Sequence, residues 1–245
     1  MKYLIVGNSP FFARSIIAEI AQEACILALD GAAEKLINLK IKPDIILGDF
    51  DSLKKHPSFY KKLGITLISA KDQNLTDFEK ALKFAMYEAK NYNFVQATSI
   101  HVVCATGGRM DHELTNFRAL QSQYNKYCAI FLHNEYQTLR FHSNEMVKLI
   151  GIQGDYCGFF GMPTAKMSVK HGLAYGGDEF YELNIKQSSS ANYLTQKNAM
   201  VEIIGDVLIA HPPMFESQRI YTQKSREEQL KELLLDSVYE KSFKA

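Results

Sequence analysis

The sequence predicts an α/β N-terminal domain, with a mainly parallel sheet flanked by helices, followed by an all-β antiparallel sandwich. Two observations carry this. Up to about residue 132, short runs that are apolar throughout alternate with stretches of helical spacing, the pattern of strands buried on both faces of a parallel sheet. From about residue 135 the helical spacing stops, and short apolar segments follow one another with turn residues between them, as in a sandwich or barrel. The division is therefore residues 1–134 for the α/β domain, 135–212 for the β-domain and 213–245 for a helical tail.

Residues 3–6 read as a buried strand and Gly7-Asn8-Ser9-Pro10 as a turn. Ser9 is a suitable cap for a helix over 11–23, with Pro10 at its first position. Strands are expected at 25–29, 45–47, 65–68, 100–104 and 128–132, with helices at 32–39, 54–63, 77–90 and 111–124 between them. Thr76 and Glu79 have the spacing of a capping box, and Phe78, Leu82, Ala85, Met86 and Ala89 recur at helical spacing behind them. In the second half, strands are expected at 136–141, 145–150, 156–160, 166–169, 179–185, 200–204 and 207–210. Leu230, Leu233, Leu234 and Val238 share one face of an expected helix over 225–241.

Composition excludes several classes. The chain of 245 residues has a formal net charge of +1 with both signs interspersed, so no field points to nucleic acid. No stretch approaches the ~20 apolar residues of a membrane span, and the first apolar run is too short for a signal-peptide core. Cys25, Cys104, Cys128 and Cys157 form no CxxC pair, which argues against zinc or redox motifs and fits buried thiols in a reducing cytoplasm.

The chemistry lies in acidic and glycine-rich stretches at strand ends. Asp49 and Asp51, two apart after an apolar strand, can turn toward one hard cation such as Mg²⁺, which takes carboxylate, water and substrate-phosphate oxygens. Read alone, the pair equally suits a cap and a solvated turn. Asp77 sits in a first helical turn, where the dipole favours an acid, and Asp72 suits a turn. Thr106-Gly107-Gly108-Arg109 has the make-up of a phosphate cradle, glycines admitting an oxyanion and arginine supplying a fork, but is not a P-loop. Asp111 and His112 open the next helix, His112 reading equally as a ligand contact or a plain first-turn residue; His101, in an apolar strand, reads as structural. Asp30, Asp49, Asp51, Thr106, Gly107 and Gly108 all follow strands, where ligands gather in parallel sheets. No serine has a nucleophile-elbow setting and no cysteine an obvious partner. Acidic loops, an arginine and no nucleophile favour direct, metal-assisted phosphoryl or pyrophosphoryl transfer.

These residues resemble the thiamine pyrophosphokinase family. The matching runs are Leu29-Asp30-Gly31-Ala32-Ala33, Pro43-Asp44-Ile45-Ile46-Leu47-Gly48-Asp49-Phe50-Asp51-Ser52, Asp72-Gln73 through Thr76-Asp77-Phe78-Glu79-Lys80-Ala81, and Thr106-Gly107-Gly108-Arg109 with Asp111-His112. Lys170-His171-Gly172-Leu173-Ala174-Tyr175 looks like a later family element, and Ser188-Ser189-Ser190-Ala191-Asn192 stands where the family has Ser-Asn. The resemblance implies transfer of the pyrophosphoryl group of ATP to the thiamine hydroxyl by a cytoplasmic homodimer with active sites at the subunit interface. It implies Mg²⁺ on Asp49, Asp51 and Asp77 with Asp30 nearby, phosphate contacts from Gln73 and Arg109, and Asp111 beside the substrates. Gly31, Thr76, Gly107 and Gly108 would border the nucleotide, and Ser190 and Asn192 the thiamine. The chain departs from the family at Ala32, at Asn74 and at Ala191, and has no Trp. A pyrophosphokinase for another hydroxymethyl heterocycle, such as a pterin, and a non-catalytic thiamine- or nucleotide-binding protein are the alternatives.

Overall fold

The structure is a computed structural model that describes residues 1–9, 14–70, 72, 74–91, 98–125, 128–215 and 218–219. The expected helix of the tail, with Leu230 to Val238, lies outside the described residues, as do Pro10 and the start of the first helix.

The first half runs β1 (Lys2–Val6), α1 (Arg14–Ala21), β2 (Ala24–Leu29), α2 (Ala32–Asn38), β3 (Ile45–Gly48), α3 (Pro57–Lys62), β4 (Thr66–Ser69), α4 (Asp77–Asn91), β5 (Thr98–Val103), α5 (Met110–Ser122) and β6 (Cys128–His133). All the pairings among β1 to β6 are parallel, in the order β6-β5-β1-β2-β3-β4. The chain thus winds outward from β1 to β4, then returns to the other side of β1 for β5 and β6. Leucines and isoleucines of β1 and β2 alternate between two cores. Ile5 and Leu27 pack with Phe78, Leu82 and Leu120 of α4 and α5, while Leu4 and Ile26 pack with Ile16, Leu36 and Tyr60 of α1 to α3. Burial on both faces is why these strands read as unbroken apolar runs. The crevice where the winding reverses, between the carboxyl ends of β1 and β5, is the usual ligand position in such sheets.

A hairpin then turns the sheet antiparallel. β6 pairs with β7 (Thr138–Ser143) at Leu132↔Leu139 and His133↔Thr138. The hydrogen-bonded ladder therefore runs unbroken past residue 134, where composition and topology both change. Beyond it come β8 (Met146–Ile150), β9 (Tyr156–His171), β10 (Tyr181–Asn184), β11 (Ser189–Tyr193) and β12 (Asn198–His211). β9 and β12 change partners along their length. β12 meets β8 over 198–202 and β7 over 206–211, and β9 meets β11 at its start and β10 later. Such switching turns a sheet's corners, and Phe159, Met167, Leu183, Leu194, Val201 and Ile209 fill the core it encloses.

Three expectations are corrected. Residues 156–160 and 166–169 are one strand, as are 200–204 and 207–210. The gaps expected at 161–165 and 205–206 are bridged because the β9–β12 register shifts between Gly205 and Val207, and a bulge absorbs a residue that cannot extend a ladder. β11 was not anticipated, because Ser189-Ser190-Ala191-Asn192 has none of the apolar alternation that marks a strand.

Candidate active site

Four strand ends and two helix starts converge on one cleft of about 800 Å³, within the usual range for small-molecule sites. Its floor is the close approach of β1 and β5. Gly7 N–H donates to Val103 O at 2.9 Å and Ser9 N–H to Cys104 O at 3.0 Å. A Cβ on Gly7 would lie 2.3 Å from Cys104 O, so only glycine permits this junction.

One wall is acidic. Carboxylate oxygens of Asp30, Asp49 and Asp51 all lie within 4.8 Å of one another. Asp30 follows β2 in the left-handed region, φ +44°, and is 6% exposed. Its Oδ2 accepts from Ser52 N–H at 3.1 Å, whereas its Oδ1 is buried without a hydrogen-bond partner among the described residues. Burial, opposed by the Ser52 bonds and reinforced by Asp51, pushes the Asp30 carboxyl up to about 6. Asp49 and Asp51 flank Phe50, itself at φ +71°; Phe50 packs on the core shared with α1 to α3 and anchors that turn. Ser52 Oγ donates to Asp51 at 2.9 Å, and this bond, then Asp30, holds the Asp51 carboxyl below the ordinary range. Gly48 is squeezed between β2 and α4: a Cβ there would lie 3.1 Å from Asp30 Cβ and 3.4 Å from Asp77 Oδ2.

The grouping differs from the expected one. Asp30 joins Asp49 and Asp51, while Asp77 lines the same cleft with its Oδ1 tied to Lys80 Nζ at 3.1 Å. Lys80 also donates to Ala70 O at 2.9 Å, so it joins the end of β4 to the first turn of α4. Thr76 forms the expected capping box, its Oγ1 accepting from Glu79 N–H at 3.2 Å and Glu79 Oε2 accepting from Thr76 N–H at 2.8 Å. Asp72 serves its own turn, accepting from Asn74 N–H at 2.9 Å. Gln73 lies outside the described residues.

The opposite wall holds the cationic and amide groups. Gly107 and Gly108 line it, and both N–H groups donate to one oxygen, Glu113 Oε1, at 2.8 and 2.9 Å. Arg109 lines it too, with its guanidinium folded back on Asp111 at 3.1 and 2.5 Å. That bond holds the Asp111 carboxyl below its usual value. The pair is exposed, 74% and 63% for the two side chains, and exposed pairs are weak and exchangeable. His112 also lines the cleft, and His101 is structural: it shares a 2.9 Å hydrogen bond with His133 in the sheet, and burial pushes it down to about 4.

Gly31 sits behind the acidic wall, where a Cβ would lie 2.8 Å from Asn8 Nδ2. Ser190 and Asn192 do not line the cleft. Asn192 is fully buried; its Nδ2 donates to Tyr175 O at 2.8 Å and its Oδ1 accepts from Tyr193 N–H at 2.9 Å, pinning β11 to the preceding turn. Sequence reasoning missed Asn8, Ser9, Lys80, Glu113 and Asn116, all at the cleft. Asn8 and Ser9 follow a strand as the acidic residues do, and that criterion would have found them. Lys80, three residues after Asp77, was legible as an ion pair. Asn116, which donates to Ala105 O at 2.8 Å, carries no sequence signal.

The donor set fits a hard divalent cation. Three carboxylates supply oxygen ligands only, and the partnerless buried Asp30 Oδ1 needs a positive partner.

Comparison with known proteins agrees. Residues 18–132 match the family described as thiamin pyrophosphokinase, catalytic domain. A thiamine pyrophosphokinase 1 of Oryza sativa subsp. japonica is 28% identical over 162 residues, covering 58% of this chain and 58% of that protein. A thiamine pyrophosphokinase 1 of Arabidopsis thaliana is 31% identical over 137 residues, covering 53% and 51%. The chain thus spans about half the length of these curated relatives. Among solved structures, a thiamine pyrophosphokinase from Bacillus subtilis superposes with a TM-score of 0.72 at 19% identity, covering 87% of this chain and 100% of that one. A Candida albicans thiamin pyrophosphokinase superposes at 0.69 and 18% identity, covering 85% and 88%. The structural likeness reaches across both halves of the fold, and in sequence residues 18–132 are similar to the catalytic domain of thiamin pyrophosphokinases.

Proposed function

We propose that this protein transfers the pyrophosphoryl group of ATP to the hydroxyl of thiamine, giving thiamine diphosphate and AMP. The observation that carries the reading is that one cleft is lined by Asp30, Asp49 and Asp51, which follow β2 and β3, and by Gly107, Gly108 and Arg109, which follow β5 on the other side of β1. That is what a polyphosphate and its cation require. We place Mg²⁺ on Asp49, Asp51 and Asp77, with Asp30, whose carboxylate lies within 4.8 Å of those of Asp49 and Asp51, as a further ligand. When bound, the ion supplies charge neutralisation for the phosphate oxygens.

The protein's own groups do the remainder. The Gly107 and Gly108 N–H groups and the Arg109 guanidinium, once released from Asp111, stabilise charge that develops on the transferred group. Lys80 and the Thr76–Glu79 box fix Asp77 in the first turn of α4, and the loops hold attacking and leaving oxygens in line. Gln73, Gly31 and Thr76 border the nucleotide in this reading, and Asp111 the substrates. The hydroxyl proton goes to Asp49 or Asp77, through a carboxylate oxygen that does not hold the ion.

In this reading the domains are 1–134 for ATP and Mg²⁺, 135–212 for thiamine and 213–245 as a tail. Ser190 and Asn192 lie away from the cleft of their own chain, which supports a homodimer in which one copy's β-domain completes the partner's site. Four free thiols, three of them buried, fit a cytoplasmic enzyme. Incubation with ATP, Mg²⁺ and thiamine should yield thiamine diphosphate and AMP. ADP as co-product, or turnover of a pterin alcohol but not of thiamine, would overturn the reading. Asp49→Asn should lower the rate by orders of magnitude with the fold intact by circular dichroism; near-normal activity removes the metal assignment.

A further inference from the structure

We infer that Glu113 is an internal anion standing where a phosphate oxygen of the substrate binds, and that it sets the affinity of the site for polyphosphates. The inference rests on the reading of the cleft as a polyphosphate site and goes beyond it in assigning a residue that neither the motifs nor the metal chemistry require. Two adjacent backbone N–H groups, those of Gly107 and Gly108, converge on the single oxygen Glu113 Oε1 at 2.8 and 2.9 Å. A pair of amides aimed at one oxyanion is the donor pattern that recognises phosphate. Here a carboxylate of the same chain fills it. Glu113 stands in the first turn of α5, with its own N–H bound to Arg109 O at 3.1 Å, so its backbone is fixed and its side chain is what reaches back to the loop.

The position is inside the cleft, not beside it. Glu113, both glycines and Arg109 line the same cavity as Asp30 and Asp49. The two amides cannot serve Glu113 and a phosphate oxygen together, and the two anions repel. A polyphosphate therefore binds only to the fraction of molecules in which the Glu113 side chain has swung away, which lowers the apparent affinity by that fraction. The same bond keeps the two amides aligned between turnovers. Glu113 is thus a positioning residue with opposed effects: it orders the cradle and competes for it.

The two roles separate by substitution. Gln at 113 keeps an oxygen acceptor for the amides but removes the charge; Ala removes both. The test is isothermal titration of the full chain with tripolyphosphate in Mg²⁺ at fixed ionic strength, for wild type, Glu113→Gln, Glu113→Ala and Glu179→Gln as an exposed control outside the cleft. We expect about three- to tenfold tighter binding for Glu113→Ala, an intermediate gain for Glu113→Gln, and no change for Glu179→Gln. Binding by Glu113→Gln that is equal to or weaker than wild type overturns the inference, as does absence of binding in every variant. A purely structural cap predicts weaker binding and lower Tm in both variants. Because thiamine turnover is not read, tighter tripolyphosphate binding without thiamine diphosphate formation keeps this inference and removes the acceptor assignment.

Discussion

Asp30→Asn is the substitution in which stability and function should part most clearly. Asp30 is buried at 6% exposure, with Oδ1 partnerless and its carboxyl pushed from 3.8 up to about 6, first by burial. At pH 8 without metal the folded protein must hold that charge. A rise of about two pH units corresponds to at most about 3 kcal/mol. Asparagine has the same shape, tolerates the left-handed backbone at this position better than most residues, and keeps an oxygen for Ser52 N–H. Its amide can donate to Asp51, the carboxylate that disfavours ionisation of Asp30. In EDTA at pH 8 the variant should therefore be more stable, by up to about 5–10 °C in Tm for a chain of this size. The sign with pH follows from the folded value lying above the unfolded one. The wild-type disadvantage is absent below the unfolded value, grows as pH rises, and is complete above about 6, so the two curves should meet near pH 4. Mg²⁺ should reverse the comparison, raising the wild-type Tm more than the variant's, and pyrophosphoryl transfer should fall by orders of magnitude in the variant. Thermal melts in EDTA and in Mg²⁺ decide it. A variant less stable than wild type in EDTA at pH 8, or stabilised equally by Mg²⁺, refutes the account of Asp30 as a buried, partner-seeking carboxylate.

Other outcomes follow from the same geometry. Lys80→Met releases Asp77 from its 3.1 Å ion pair and the end of β4 from α4; kcat should drop about 10- to 100-fold, the usual effect of removing a partner that orients a ligand, with far-ultraviolet circular dichroism unchanged. Gly7→Ala places a Cβ 2.3 Å from Cys104 O, which must force β1 from β5, and should cost about 1–3 kcal/mol or more in urea unfolding. Burial holds His101, His133, His142 and His211 below the ordinary histidine value. The unfolded chain takes up protons that the folded one refuses, so stability should be full above pH 6.5 and fall toward pH 4, by about 1.4 kcal/mol per pH unit for each histidine in its range. Urea midpoints across that interval measure the slope; a flat profile contradicts the burial of these rings.

The N-terminal sheet was legible because its strands are buried on both faces and its helices on one, so period and composition point the same way. The strand-end rule then found the acidic wall without any geometry. What the sequence could not supply was partnership. Asp77 and Asp30 look alike as strand- or helix-terminal acids; only the fold shows that it is the Asp30 carboxylate that converges with those of Asp49 and Asp51. The β-domain was harder for a related reason. Strands there are divided by their partners and not by their residues, so Pro163 and Gly205 sit inside continuous strands while the polar Ser189-Ser190-Ala191-Asn192 is itself a strand. Asn192, which the resemblance places beside thiamine, hydrogen-bonds through its side chain to backbone groups of Tyr175 and Tyr193, contacts that the sequence did not announce.

The charges of the cleft share one property that bears on how it binds. Asp77 is paired with Lys80, Arg109 with Asp111, and the glycine amides with Glu113. Ligand binding is therefore an exchange of partners, and its affinity is the difference between the new contacts and those given up. Exchange is cheapest at Arg109–Asp111, where both groups are exposed and water replaces the lost partner. It is dearer at Lys80, whose side chain is 11% exposed and is better suited to hold Asp77 than to leave it. Asp30 Oδ1 stands apart, as a buried carboxylate oxygen with no partner to give up among the described residues. A cation arriving there gains its attraction without displacing any bond at that atom, so the acidic wall should take its cation before the opposite wall releases its arginine to a phosphate.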